Sequence, residues 1–126
     1  MEPEEIDRKQ FRKDVAHRIH KQRLIYGFTN KKLAQLLGIS ESYIYRIQSG
    51  KILPSLDLLE RICIVFGVTY DYMIRGVIPT PDNTAEKRFQ EEQYQFLNEK
   101  LTQEERDHML DCLKKYVDEG ELNNHN

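Results

Sequence analysis

The 126-residue sequence has little of what several protein classes require. Its two cysteines, Cys63 and Cys112, lie within helical apolar patterns, so we interpret them as reduced core thiols, with a disulfide as the alternative. No apolar run approaches the length of a membrane span, and the acidic, polar residues 1–10 are unlike a secretory signal. These features predict a cytoplasmic protein without a membrane segment.

Strand signals and catalytic constellations are also scarce. Apolar and polar residues do not alternate over any sustained stretch, and there is no Asn-Gly hairpin turn. We find no pairing of a nucleophile with a base and no glycine loop that would cradle a phosphate, so we expect neither enzyme activity nor a cofactor. His17 and His20 have no cysteine or carboxylate at ligand spacing, and we expect no metal there. The same expectation holds for Asp107, His108 and Asp111.

Apolar residues recur instead at helical spacing. Phe11, Val15 and Ile19 follow one another every four residues, which predicts a first helix that ends at Gly27. Each of the next four predicted helices begins at a serine or threonine that can cap it, and ends at a glycine that tolerates a left-handed backbone. The starts are Thr29, Ser40, Ser55 and Thr69, and the ends are Gly38, Gly50, Gly67 and Gly76.

The chain changes character after these helices. Residues 77–82 contain two prolines and no periodicity, so we predict a linker. Two acidic helices are predicted over residues 83–119, and the second opens with a capping box formed by Thr102 and Glu105. It carries an apolar stripe that we predict to be a dimer surface, unless it folds back on its own domain or receives another protein. The stripe consists of Met109, Leu110, Leu113, Tyr116 and Val117.

Charge is distributed unevenly, although the formal net charge is only −2. Residues 8–51 carry eleven lysines or arginines and two acidic residues, a net charge of +9. Residues 79–126 carry a net charge of −6. A basic segment on a near-neutral protein favours an anionic partner for that segment, with an ordinary solvated helical surface as the alternative.

The stretch LAQLLGISESYIYRIQSG, at residues 33–50, has the pattern of two short helices that cross closely. A small residue, a glycine four positions later and an isoleucine six positions after that resemble a helix-turn-helix motif. The wider sequence over residues 11–76 resembles the five-helix domain of the lambda-repressor/Cro-like (XRE) family. The resemblance is carried by Arg23, Thr29, Leu33, Ala34, Gly38, Ile39, Ser40, Ile44, Ile47, Gly50, Pro54, Leu59, Phe66, Gly67 and Val68.

The sequence thus predicts an all-α protein. We expect a five-helix lambda-repressor-like DNA-binding domain over residues 7–76, followed by a C-terminal helical pair. The resemblance implies that the helix at residues 40–49 enters the major groove, and that its exposed face contacts bases. The implied base readers are Glu41, Ser42, Tyr45 and Arg46. The implied phosphate contacts are Arg23, Thr29, Asn30, Lys31, Ser40, Ser49 and Lys51.

Two positions depart from the family pattern. Asn30 stands where the family often has glutamine. Gln48 stands where it often has a glutamate that pairs with Arg23, and the loss of that partner would free Arg23 to meet a phosphate. Two of the implied readers also have other interpretations, because Tyr45 can pack and Glu41 can stabilise the helix dipole.

The function implied by the resemblance is sequence-specific regulation of transcription in a bacterium or mobile element. We expect a repressor that binds an inverted-repeat operator in double-stranded DNA as a homodimer, with a regulatory protein or peptide as a further partner of the C-terminal helices. The alternative is an antitoxin or a protein-interaction module whose acidic helices cover a partner. Stacking on single strands is disfavoured because Tyr43 and Tyr45 point to different sides of their helix.

Overall fold

The structure is a computed structural model that describes residues 3–124, with side chains described over residues 8–120. The described residues form seven helices and no strand, which confirms the predicted all-α class. None of these helices is long and apolar enough to cross a membrane. The helices are α1 (Pro3–Tyr26), α2 (Asn30–Leu37), α3 (Glu41–Gln48), α4 (Leu56–Phe66), α5 (Tyr70–Arg75), α6 (Thr84–Lys100) and α7 (Gln103–Asn124).

Side-chain caps set the starts of α2 to α5. The hydroxyls of Thr29 and Ser40 accept hydrogen bonds from the backbone N–H groups three residues further on, at 3.0 and 3.1 Å. Ser55 and Thr69 cap α4 and α5 in the same way. Such caps satisfy N–H groups that have no carbonyl partner within the helix. The predicted starts of these four helices are confirmed, as is the glycine stop of α2 at Gly38, where φ is +70°.

One face of each of the first five helices contributes to a common core. The fully buried isoleucines of α3, Ile44 and Ile47, pack in the same cluster as residues from α1, α2, α4 and α5. The end of α5 is fixed to α1 by Arg18, whose Nη1 donates to the carbonyl oxygens of Met73 and Ile74 at 3.1 and 2.9 Å. The core therefore packs against one face of α2 and of α3, and the opposite faces of these helices are exposed to solvent.

The C-terminal helices pack back on this five-helix body. α6 lies against α4, and α7 lies against α1. Gln93 of α6 donates to the hydroxyl of Tyr26 at 2.7 Å and to the carbonyl oxygen of Val65 at 3.0 Å. Phe89 and Met109 join the common core. The described part of the chain thus shares one hydrophobic core.

The C-terminal segment differs in one detail from the prediction. The predicted helical pair ends at residue 119, whereas α7 continues through Gly120 to Asn124. The predicted capping box is present: Glu105 accepts from the N–H of Thr102 at 2.9 Å, and the hydroxyl of Thr102 accepts from the N–H of Glu105 at 3.1 Å. A single glycine within a helix costs only about 1 kcal/mol, which the rest of α7 tolerates.

Candidate nucleic-acid interface

α3 has two faces of opposite character. Ile44 and Ile47 are buried against the core, whereas Ser42, Tyr45 and Arg46 are exposed. This division follows from helix geometry, since residues three and four positions apart lie on the same side. Three of the four predicted base readers therefore share one solvent-facing surface. The fourth reader, Glu41, lies exposed in the first turn of α3, where its carboxylate also suits the positive end of the helix dipole. Tyr43 is half-buried against the core, which separates it from this surface.

The turn between α2 and α3 is held by a residue that the sequence interpretation missed. Arg61 of α4 donates from Nη1 to the carbonyl oxygen of Leu37 at 2.5 Å, and its Nη2 contacts Asp57 at 3.0 Å. The carbonyls at the end of a helix have no partner within that helix. Arg61 therefore supplies a partner at the end of α2. The only sequence signal was the i, i+4 spacing of Asp57 and Arg61 on a helix.

A chain of hydrogen bonds joins α1, α3 and α2 behind the exposed face. Gln48 donates from Nε2 to Oδ1 of Asn30 at 2.6 Å, and its Oε1 lies 3.1 Å from Nδ1 of His20. Because the carbonyl oxygen of Asn30 accepts from Gln48, its amide nitrogen is the end directed away from Gln48. Gln48 thus binds the end of α3 to the start of α2.

The expectation that Arg23 is released toward phosphate is not supported by its contacts. Its Nη1 donates to the carbonyl oxygen of Phe28 at 2.7 Å, and its Nη2 lies 3.3 Å from Nδ1 of His20. Its Nε is buried without a hydrogen-bond partner among the described residues. Arg23 therefore stabilises the turn after α1 from inside, even though it has no carboxylate partner.

The other predicted phosphate residues lie at the start of α2 and at the two ends of α3. Lys31 and Lys51 are exposed, the first in the first turn of α2 and the second just after α3. The hydroxyl of Ser49 donates to the carbonyl oxygen of Arg46 at 3.0 Å. Thr29 and Ser40 are exposed caps whose oxygens already accept a backbone N–H. Their hydroxyl hydrogens remain suitable donors to an anion.

Two short helices that cross at a glycine turn, the second with one buried and one exposed face, are the geometry of a helix-turn-helix. A family model described as "Helix-turn-helix" matches residues 19–73. This match supports a helix-turn-helix regulator of the lambda-repressor/Cro-like type. No curated protein and no solved structure shows a significant match to the chain. The family match supports a DNA-binding transcriptional regulator, in a family whose members are regulators rather than enzymes.

The helix-turn-helix domain keeps its exposed cations available. Among the side chains of residues 8–120, no acidic group lies within 4.0 Å of Lys31, Arg46 or Lys51. Lys32 differs, because its Nζ contacts the carboxylate of Glu105 on α7 at 2.5 Å. The hydrogen bond from Lys32 lowers the pKa of Glu105. Lys32 of α2 is therefore paired with the C-terminal helices. Lys31, Arg46 and Lys51 have no acidic partner among residues 8–120.

The two thiols lie away from the exposed face of α3. Cys63 is fully buried, and burial raises its pKa to about 12, which makes it a poor nucleophile. Cys112 is half-buried, with its sulfur 3.7 Å from Nε2 of His108. Within the part of the chain that the structure describes, no three histidine, cysteine or acidic side chains come together as metal ligands.

Proposed function

We propose that this protein is a transcriptional repressor that binds an inverted-repeat operator as a homodimer. The observation that carries the proposal is the exposed face of α3, where Ser42, Tyr45 and Arg46 stand opposite two buried isoleucines. The buried face holds the helix rigidly on the domain. The exposed face presents hydrogen-bonding groups of the kind that read base edges in the major groove.

Each side chain of this face has a distinct proposed role. Arg46 donates two hydrogen bonds to the O6 and N7 atoms of a guanine, and Glu41 accepts one from the N4 amino group of a cytosine. Ser42 is less selective, because a hydroxyl both donates and accepts. Tyr45 contacts the neighbouring base or sugar. The backbone is bound by Thr29, Asn30, Lys31, Ser40 and Lys51, and by Ser49 once its hydroxyl turns away from the carbonyl oxygen of Arg46.

Specificity argues for two copies. One α3 offers only a few base contacts, each worth about 1–3 kcal/mol of discrimination. Two copies with reading helices about 34 Å apart would double the number of base pairs read. For the dimer surface we propose the outer part of the predicted stripe, since Leu110 and Val117 are 56% and 55% exposed. Met109 and Leu113 pack against the protein's own core, so these two members of the stripe support the dimer from within. Tyr116 is 47% exposed and lines a pocket between α7 and α1.

A second candidate is that the C-terminal helices bind a different protein, as in an antitoxin. It is favoured by the same exposed apolar side chains together with Tyr94, which is 72% exposed on α6. In both cases the protein acts on duplex DNA, and we therefore place it in the cytoplasm with the nucleoid.

The proposal is tested by selecting binding sites from a random duplex pool with the purified protein. We expect an enriched inverted repeat, and we expect Arg46→Ala to relax selection at one base pair in each half-site. Leu110→Glu should enrich only a half-site and sediment as a monomer, whereas Leu56→Glu, at a leucine that is 81% exposed on α4, should behave as wild type. Salt-sensitive binding that enriches no sequence would refute the operator proposal.

The same experiment separates the two candidates for the C-terminal helices. A wild-type protein that sediments as a monomer at micromolar concentration and enriches only half-sites would refute the homodimer. The surface around Leu110 would then be assigned to a different protein. A dimer that survives Leu110→Glu would show that the copies meet elsewhere.

A further inference from the structure

Most of α1 lies outside the helix-turn-helix match. The match begins at residue 19, whereas α1 begins at Pro3. Residues 8–18 carry five lysines or arginines and one acidic residue. If these residues were only a solvated helix surface, they would have no fixed relation to the helix that faces DNA. Their contacts contradict that interpretation.

α1 touches the turn that directly follows α3. Arg12 donates from Nε to the carbonyl oxygen of Gly50 at 3.3 Å. Gly50 has a φ of +76°, and a Cβ atom placed there would lie 3.3 Å from Cγ and 3.6 Å from Cα of Lys13. Backbone therefore meets backbone at this point. Arg12 fixes the turn, and the stem of Lys13 lies beside it.

The charge at this contact is positive. Lys13 and Lys51 are both exposed, and no acidic side chain among residues 8–120 lies within 4.0 Å of either. Asp14, the acid next to Lys13 in the chain, accepts a hydrogen bond from Gln10 at 2.8 Å. Glu41 lies at the opposite end of α3. The two lysines thus flank the end of the reading helix without a protein anion to neutralise them.

The surface here is also concave. A shallow pocket of about 210 Å³ lies between α1 and the end of α3, and it is lined by Lys13, His17, Gln48 and Ser49. α3 has eight residues and is therefore about 12 Å long, close to the width of the major groove. A helix of that length in the groove brings its final turn to the groove edge, where the phosphates of the flanking strand pass.

We infer that Lys13 of α1, with Lys51 beside it, binds a phosphate of the DNA backbone at the edge of the groove where α3 ends. Arg12 positions the turn for this contact through Gly50. The inference rests on the proposed function, because it needs α3 in the major groove. It adds α1 to the interface as a contact that increases affinity on any duplex and does not read bases.

The test measures binding of the full-length protein to the selected operator and to an unrelated duplex by fluorescence anisotropy, over a series of salt concentrations. Loss of one phosphate contact should lower the slope of log K against log salt by about 0.9. At 0.1 M salt, Lys13→Gln should therefore weaken binding by roughly tenfold on both duplexes. Lys13→Arg should keep the wild-type slope, because it retains the charge. Lys114→Gln, at an exposed lysine on α7, should also keep it.

Two results would overturn the inference. One is a Lys13→Gln slope equal to that of Lys114→Gln. The other is a loss confined to the operator, which would make Lys13 a base reader. Lys13 is exposed, so its variants should melt like wild type, and circular dichroism checks this. If the wild type binds and depends on Arg46 while Lys13→Gln changes nothing, only the α1 contact fails. If no variant affects selection and no sequence is enriched, the proposed function fails first.

Discussion

Replacing Phe89 by alanine tests whether α6 is part of the folded domain or an appendage. Phe89 is 2% exposed and lies in the common core, where α6 packs against α4. Its ring meets that of Tyr70 edge-on, with 5.2 Å between the centroids. The guanidinium of Arg88 lies 5.2 Å from the same centroid. Alanine would remove all of these contacts and leave a cavity between the two helices.

The expected loss of stability is large for a protein of this size. A buried phenylalanine replaced by alanine costs about 3–5 kcal/mol. The free energy of unfolding of a small domain is about 5–15 kcal/mol, so this one change would remove roughly a third to a half of it at the middle of that range. At about 4 °C per kcal/mol, the melting temperature should fall by roughly 12–20 °C.

The assay is urea unfolding followed by circular dichroism and by tyrosine fluorescence. If α6 and the helix-turn-helix domain share one core, both signals of Phe89→Ala should shift together to lower urea. Tyr94→Ala changes an exposed aromatic of the same helix and should alter stability by less than about 0.5 kcal/mol. The shared core would be refuted if Phe89→Ala lost part of its helix signal at low urea while the rest of the protein unfolded at the same urea concentration as wild type.

Two further predictions concern side chains inside the domain. Gln48→Ala removes the donor to Asn30 and the acceptor near His20, so it should lower the free energy of unfolding by about 1–3 kcal/mol and weaken binding to any duplex. A urea midpoint equal to that of Gln35→Ala, an exposed control on α2, would contradict this. A thiol reagent at pH 8 should label Cys112 before Cys63, because burial raises the pKa of Cys63 to about 12 and closes access to it. Since that pKa is raised on folding, the contribution of Cys63 to stability should decline as the pH rises from its ordinary value of 9 toward 12. In Cys112→Ser only Cys63 can react. Rapid labelling of that variant, measured by mass spectrometry, would show that the Cys63 thiol is accessible and would contradict the prediction.

The helix boundaries were predictable because they depend on local chemistry. A serine or threonine cap and a glycine stop act within a few residues of each other, and α2, α4 and α5 begin and end as those signals predict. The faces of α3 were predictable for a similar reason, since helix periodicity alone places Ile44 opposite Arg46. The partners of Gln48 and Arg61 were not predictable in this way. Each contacts a residue on another helix, and sequence spacing carries no information about that distance.

The C-terminal stripe illustrates the limit of periodicity more sharply. At about 100° per residue, Met109 and Leu110 are neighbours in the sequence but face different directions. Met109 is 9% exposed against the core, whereas Leu110 is 56% exposed. One edge of this wide stripe packs against the protein's own core. The other edge is not covered by any described residue. The pattern of apolar residues is the same for a docked helix, a dimer helix or both, because burial in either surface has the same hydrophobic driving force. Only the packing of α7 on α1 distinguishes the two edges, and it makes Leu110 and Val117, which are more than half exposed, the first residues to test for self-association.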